Sequence, residues 1–406
     1  MPYFVKVLSH GNPKHATNNK KTYIMIIPAE YDEIRPYTPE ELPQIFEELI
    51  ADEEFKAAMG YAFPGMPFEQ IAAAMRASET NLDFQKALVA PFLKGLLAKL
   101  SSGITLSYEK KEELQNPLCI SNHRDIILDS AFLCLLMVEN TGNTVEIAIG
   151  DNLLIRPWIK KLVRVNRSFI VQRSASIREM LASSKRLSSY MHYTITERKQ
   201  PIWLAQREGR AKDSNDITQE GLIKMLSMYS GGNMVDSLKA LNIAPATISY
   251  EYDPCDYLKA KEFQQKRDNP EHKKSPMDDL VNMQQGLMGY KGAIHYHIAA
   301  CINDEIDKID RTLGKNEITN AVARIIDKHI HSNYRFWPIN YYYYELLTGD
   351  TRFADRYTAE EAAKLDAYLA DRIAKVDLAD KDEAFLRTKI LEMYANPLKN
   401  YLEAVS

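Results

Sequence analysis

The segment ISNHRDIILDS, residues 120–130, gathers the residue types of proton transfer into eleven positions. An imidazole that titrates near neutrality can take a proton from a hydroxyl. A carboxylate beside it fixes its tautomer and stabilises the imidazolium that forms. His123 has two candidate carboxylates, Asp125 and Asp129. Further along, Glu208-Gly209-Arg210-Ala211-Lys212 follows the apolar run PIWLAQ. Gly209 suits a strand-to-helix turn in which backbone approaches a ligand closely. Arg210 can fork onto phosphate oxygens, and Lys212 adds a point charge. Arg173 closes another apolar run, SFIVQR, and can supply a third cation.

These groups need elements that bring them together. Between residues 106 and 310, short apolar runs alternate with helical patterns: PLCIS, TVEIAIG, SFIVQR, PIWLAQ, APATISYE and AIHYHIAA. Strands separated by helices predict an α/β layer with a mainly parallel sheet. Ligands of such sheets sit at the carboxyl ends of the strands, where PLCIS would deliver His123. Residues 1–105 and 311–406 read as helical extensions. In the first, Thr38-Pro39-Glu40-Glu41 predicts a helix start. Val89, Phe92, Leu93, Leu96, Leu97 and Leu100 form an apolar stripe at helical spacing. It suits a membrane surface, but the protein's own core is the better reading. In the second, Thr358 to Glu361 has the form of a capping box. The polar stretch KAKEFQQKRDNPEHKKSPMDD reads as a charged surface insertion. The aromatic run NYRFWPINYYYYELL reads as core. His295 and His297 share one strand face and read as structural residues.

Composition narrows the function. Of 406 residues, 45% are hydrophobic and 26% charged, which allows a real core and excludes wholesale disorder. A net charge of −4 argues against a dedicated nucleic-acid binder. Yet residues 153–212 hold fourteen Lys/Arg and three acids, a local net charge of +11 that points to an anionic ligand or surface. The four cysteines form no C-x-x-C pair, so reduced thiols are expected rather than a zinc or disulfide framework. No apolar run reaches the ~20 residues of a membrane span, and the start MPYFVKVLSHGNPKH has no signal-peptide texture. A cytoplasmic protein in peripheral contact with the membrane is expected.

Four motifs carry a resemblance. H-R-D followed by apolar residues suggests a kinase catalytic loop, but Ser130 stands where a kinase needs Asn. The segment instead resembles the first motif, H-x-x-x-x-D, of the glycerolipid acyltransferase superfamily. Gly150-Asp151-Asn152-Leu153 with Ser168 to Arg173 is similar to the second motif, G-x-N-L…F-F-I-R-R. Glu208 to Lys212 is similar to the third, E-G-x-R-S-R, and Ala244 to Glu251 to the fourth, V-P-V-x-I-x-Y-E. The motifs occur in the family's order over residues 106–300. The resemblance implies that His123 is a general base oriented by Asp129, with Asp125 as the alternative because five residues, not four, precede Asp129. It implies that Asn152, Arg173, Glu208, Gly209, Arg210 and Lys212 hold a glycerol phosphate. It also implies acyl-CoA or acyl-carrier protein as donor, and no metal or cofactor. The expected activity is acyl transfer to glycerol 3-phosphate or 1-acylglycerol 3-phosphate in phospholipid biosynthesis. A lysophospholipid or an amine-bearing lipid is the alternative acceptor, and a non-catalytic lipid- or phosphate-binding relative is the alternative class.

Overall fold

A computed structural model describes residues 27–172, 176–229 and 232–406. All six apolar runs form strands, and a seventh precedes them. They are β1 (Gly103–Tyr108), β2 (Leu118–Ser121), β3 (Glu146–Gly150), β4 (Ser168–Val171), β5 (Ile202–Ala205), β6 (Ile243–Tyr250) and β7 (Ala293–Ile298). They lie in one sheet in the order β1-β7-β6-β2-β5-β3-β4. The five strands β6, β2, β5, β3 and β4 pair in parallel, so their carboxyl ends share one edge. β7 runs antiparallel to β6, and β1 pairs in parallel with β7. The expected α/β class with a mainly parallel sheet and helical extensions is observed. β1 starts three residues ahead of the expected boundary at 106.

Among the described residues, five α-helices precede the sheet: α1 (Leu42–Ile50), α2 (Glu53–Ala62), α3 (Phe68–Arg76), α4 (Asn81–Phe84) and α5 (Ala90–Leu100). Those between strands are α6 (Leu128–Thr141) after β2, α7 (Pro157–Val165) after β3 and α8 (Ile177–Thr196) after β4. Next come α9 (Glu220–Leu226) and α10 (Met234–Lys239) after β5, then α11 (Asp256–Asp268) and α12 (Pro276–Met288) after β6. Beyond β7 lie α13 (Asn303–Asp307), α14 (Lys315–Ser332), α15 (Pro338–Thr348), α16 (Ala359–Ala374) and α17 (Glu383–Val405).

Strand alternation sorts the core into two faces. Leu118, Ile120, Ile202 and Leu204 face one side, packed with residues of α8, α9 and α14. Cys119, Trp203, Ile248 and Tyr296 face the other, packed with α6. The apolar stripe of α5 joins this second face, with Leu93 buried, so it covers the protein's own core. α1 begins at Leu42 rather than behind Thr38; residues 38–41 form a turn in which the Glu41 carboxylate accepts from Arg35 and from the Thr38 N–H.

One expectation is corrected. The charged stretch after β6 is exposed over much of residues 266–278, but it is not an insertion solvated throughout. It folds into α11 and α12, and Lys259, Glu262 and Gln264 of α11 are buried. Their partners are polar: Asp253 for Lys259, three lysines for Glu262, and the Asp380 carbonyl for Gln264. The aromatic run is core as expected. Tyr343 of α15 is fully buried, and α15 lies along α17. Thr358 caps α16 through the reciprocal bonds of a capping box with Glu361. His295 and His297 hydrogen-bond to Thr105 and Ser107 of β1, in keeping with a structural role. Among the described residues, no helix is long and apolar enough to cross a membrane, and no group of three His, Cys, Asp or Glu side chains can hold a metal ion.

Candidate active site

β2 is the fourth of the seven strands across the sheet and ends at Ser121, which delivers His123 to the carboxyl edge. His123 Nδ1 lies 2.8 Å from Asp129 Oδ2. An ionised carboxylate only accepts, so Nδ1 carries the proton and Nε2 keeps a lone pair. Asp129 sits in the first turn of α6 and is fully buried. Its Oδ2 also accepts the backbone N–H groups of Arg124 and Asp125, at 2.5 and 3.0 Å. Two backbone donors thus fix the carboxylate that in turn fixes the imidazole. From the other side, the His123 ring meets Trp203 of β5 edge to face, with centroids 5.8 Å apart.

The two candidate carboxylates have separate tasks. Asp125 Oδ1 accepts the N–H groups of Ile127 and Leu128, at 2.9 and 2.7 Å. It satisfies backbone donors at the start of α6, which otherwise lack intrahelical partners. Burial raises its pKa, and the neighbouring Asp129 charge raises it further. The longer spacing from His123 to Asp129 is absorbed in the turn that Asp125 caps.

Each remaining residue of the turn is anchored. Ser121 Oγ accepts the Trp203 indole N–H at 3.0 Å. The Asn122 side chain continues the β2–β6 pairing: its Oδ1 accepts Ile248 N at 2.8 Å, and its Nδ2 donates to Ile248 O at 2.9 Å. Arg124 turns inward to a buried ion pair with Asp216, at 2.6 Å. Burial alone would lower the Arg124 pKa, but the Asp216 charge and hydrogen bond, together with Tyr334 and Asp253, leave it raised. Asp216 also accepts from the Tyr334 hydroxyl. Sequence reasoning missed Asn122, Trp203 and Asp216, and did not assign Arg124. The last two are 92 positions apart, and spacing carries no trace of such a pair.

The third motif follows β5, the neighbour of β2. Gly209 has φ +68°, the left-handed conformation its turn requires. Arg210 is 9% exposed, and its Nη2 donates to Asn282 Oδ1 of α12 at 3.1 Å. Its Nη1 is buried without a hydrogen-bond partner among the described residues. Asn282 lies one helical turn before Gly286, which packs on the Asp125 carboxylate, and this places Arg210 beside the His123 turn. Lys212 instead pairs with Glu262, which also meets Lys266 and Lys274. Burial works to raise the Glu262 pKa, but the three lysines bring it down to about 2. Burial lowers Lys212 to about 8, against the pull of Glu262. Glu208 is exposed on the same turn, and its backbone N–H donates to Gln219 Oε1 at 3.0 Å.

Asn152 is exposed in a short 3-10 turn, Asp151–Leu153, at the carboxyl end of β3. Arg173 lies outside the described residues. The structure therefore brings His123, Asp129, Asp125 and Arg210 together. It places Asn152 and Glu208 on the same sheet edge and commits Lys212 to Glu262. The arrangement can remove a proton from a hydroxyl beside a buried guanidinium. No protein-family model matches this chain, and no curated protein matches it at a significant level.

Proposed function

We propose that the chain is an acyltransferase that esterifies glycerol 3-phosphate or 1-acylglycerol 3-phosphate in phospholipid biosynthesis, with an acyl thioester of CoA or of a carrier protein as donor. The observation that carries this reading is the His123–Asp129 contact of 2.8 Å at the end of the central parallel strand. Nε2 of His123 takes the acceptor's hydroxyl proton as the oxygen attacks the thioester carbonyl. The C–S bond then breaks, and the proton passes from the imidazolium to the departing thiolate. His123 returns neutral, and Asp129 stabilises the imidazolium between the two steps. The partly unpartnered guanidinium of Arg210 supports an anionic acceptor. The sequence motifs add the family resemblance.

The test measures free thiol released from acyl-CoA with and without glycerol 3-phosphate or its 1-acyl derivative, with the product identified by mass. Acceptor-dependent release and an ester product support the reading. Release that ignores the acceptor indicates a hydrolase, and no release with any acceptor indicates a binding protein.

A further inference from the structure

The carboxyl edge of the sheet also carries exposed apolar side chains. At the start of α8, directly after β4, Ile177, Met180 and Leu181 are 83%, 53% and 59% exposed. Their spacing of three and four puts them on one side of the helix. The capping box of Ser176 and Glu179 holds that first turn in shape, so the three side chains project from a fixed base. Ile155 projects from the segment after β3, the strand next to β4. Exposed cations surround these groups: Arg156 beside Ile155, Lys160 on α7, and Arg178 and Lys185 on α8. Of these, Arg156 makes a long 3.6 Å contact with Glu54, while the other three have no ion pair among the described residues.

Protruding apolar side chains ringed by Lys and Arg match the chemistry of an anionic bilayer: hydrocarbon at the centre, phosphate headgroups around it. An acidic carrier protein would match the charges but leave the three-residue apolar ridge without a purpose. We infer that Ile155, Ile177, Met180 and Leu181, with Arg156, Lys160, Arg178 and Lys185, dock the protein on an anionic lipid surface. β4 is three strand spacings from β2, about 14 Å across the sheet. Docking there sets the edge that bears His123 toward the bilayer. The functional meaning rests on the acyl-transfer reading, in which a lipid-borne acceptor reaches His123 from the membrane. The binding itself does not depend on it.

The test is co-sedimentation of the full chain with phosphatidylcholine vesicles, with and without phosphatidylglycerol. The wild-type protein is expected to bind the anionic vesicles. The triple variant Ile177→Ser/Met180→Ser/Leu181→Ser is expected to lose at least about tenfold in partitioning. Arg178→Gln/Lys185→Gln is expected to lose about fivefold per charge, and with it the preference for anionic lipid. With glycerol 3-phosphate and a water-soluble acyl-CoA, all variants should turn over like wild type. Thiol release without vesicle binding overturns the docking surface alone. Vesicle binding without thiol release overturns the acyl-transfer reading and leaves the surface standing. A triple variant that binds vesicles normally overturns the patch. So does one whose light-scattering mass halves, which would mean that a second copy of the chain covers the ridge. A patch that binds an acidic carrier protein but no vesicle also overturns the inference.

Discussion

Asp125 and Asp129 are four positions apart, yet they hold different things. Asp129 Oδ2 gathers the imidazole and two backbone amides, whereas Asp125 Oδ1 gathers the first amides of α6. An asparagine oxygen can still accept backbone amides, but it cannot stabilise an imidazolium as a carboxylate does. Asp129→Asn is therefore expected to lower kcat by at least about 10²-fold. Asp125→Asn should keep turnover within a few-fold, since it also removes a buried charge that repels Asp129. Steady-state kinetics of the two variants checks the assignment, and equal losses would sink it. Arg210 acts at the same scale. Lys keeps the charge but not the fork, so Arg210→Lys should raise the acceptor's KM clearly and leave the donor's nearly unchanged. Arg186→Ala is the control, because that arginine is occupied by Glu33 and Gln172 near the end of β4. If the control matches Arg210→Lys, the basic segment acts through its diffuse field.

Among the elements, α12 crosses the strand ends and touches the turn twice, through Asn282 to Arg210 and through Gly286 to Asp125. A Cβ at Gly286 would collide with the Asp125 carboxylate. Gly286→Ala is thus expected to lose roughly 1–3 kcal/mol through overpacking and to slow acyl transfer, as read by urea denaturation and initial rates. A variant as stable and as active as wild type would contradict this packing. Neither contact was legible in the sequence. The six strands with apolar runs were: those of the parallel set read as near-continuous hydrophobic stretches, and β7 alternates buried apolar with half-buried positions. His123 was legible too, because it follows such a run directly. β1 was not: GITLSY is half polar, and its strand partner among the described residues, β7, lies 190 positions away. α11 hid for a different reason. Its buried face is built from Lys259, Glu262 and Gln264, so hydrophobic periodicity has nothing to report.

At the scale of the whole molecule, polar locks join the carboxyl-terminal helices to the site. Asp256, just beyond β6, is fully buried and accepts from Arg372 of α16, Tyr368 of α16 and Tyr394 of α17. Arg372 also donates to the Pro254 carbonyl. The Tyr394 hydroxyl receives the Asp253 N–H at 2.9 Å, and Asp253 in turn pairs with Lys259, which donates to the Arg124 carbonyl at 3.2 Å. The chain of contacts runs from the last helix to the residue beside His123. Removing one partner leaves a buried charge uncompensated, so Arg372→Ala is expected to cost about 3–5 kcal/mol. Denaturant unfolding measures it, and a loss below the usual scatter of surface substitutions would refute the lock. The charge distribution belongs to this scale as well: a net −4 overall hides the +11 of residues 153–212, in which Arg156, Lys160, Arg178 and Lys185 are exposed.

Turnover needs all three scales at once. The decisive measurement is kcat for acceptor-dependent thiol release by His123→Ala, with circular dichroism and the unfolding midpoint recorded on the same preparation. His123 lies on a turn at the sheet edge, and the surrounding anchors of Ser121, Asn122, Arg124 and Asp125 do not pass through its ring. The variant should therefore fold like wild type and lose at least about 10²-fold in kcat. A folded His123→Ala protein that transfers acyl groups at near-normal rate would contradict the proposed chemistry.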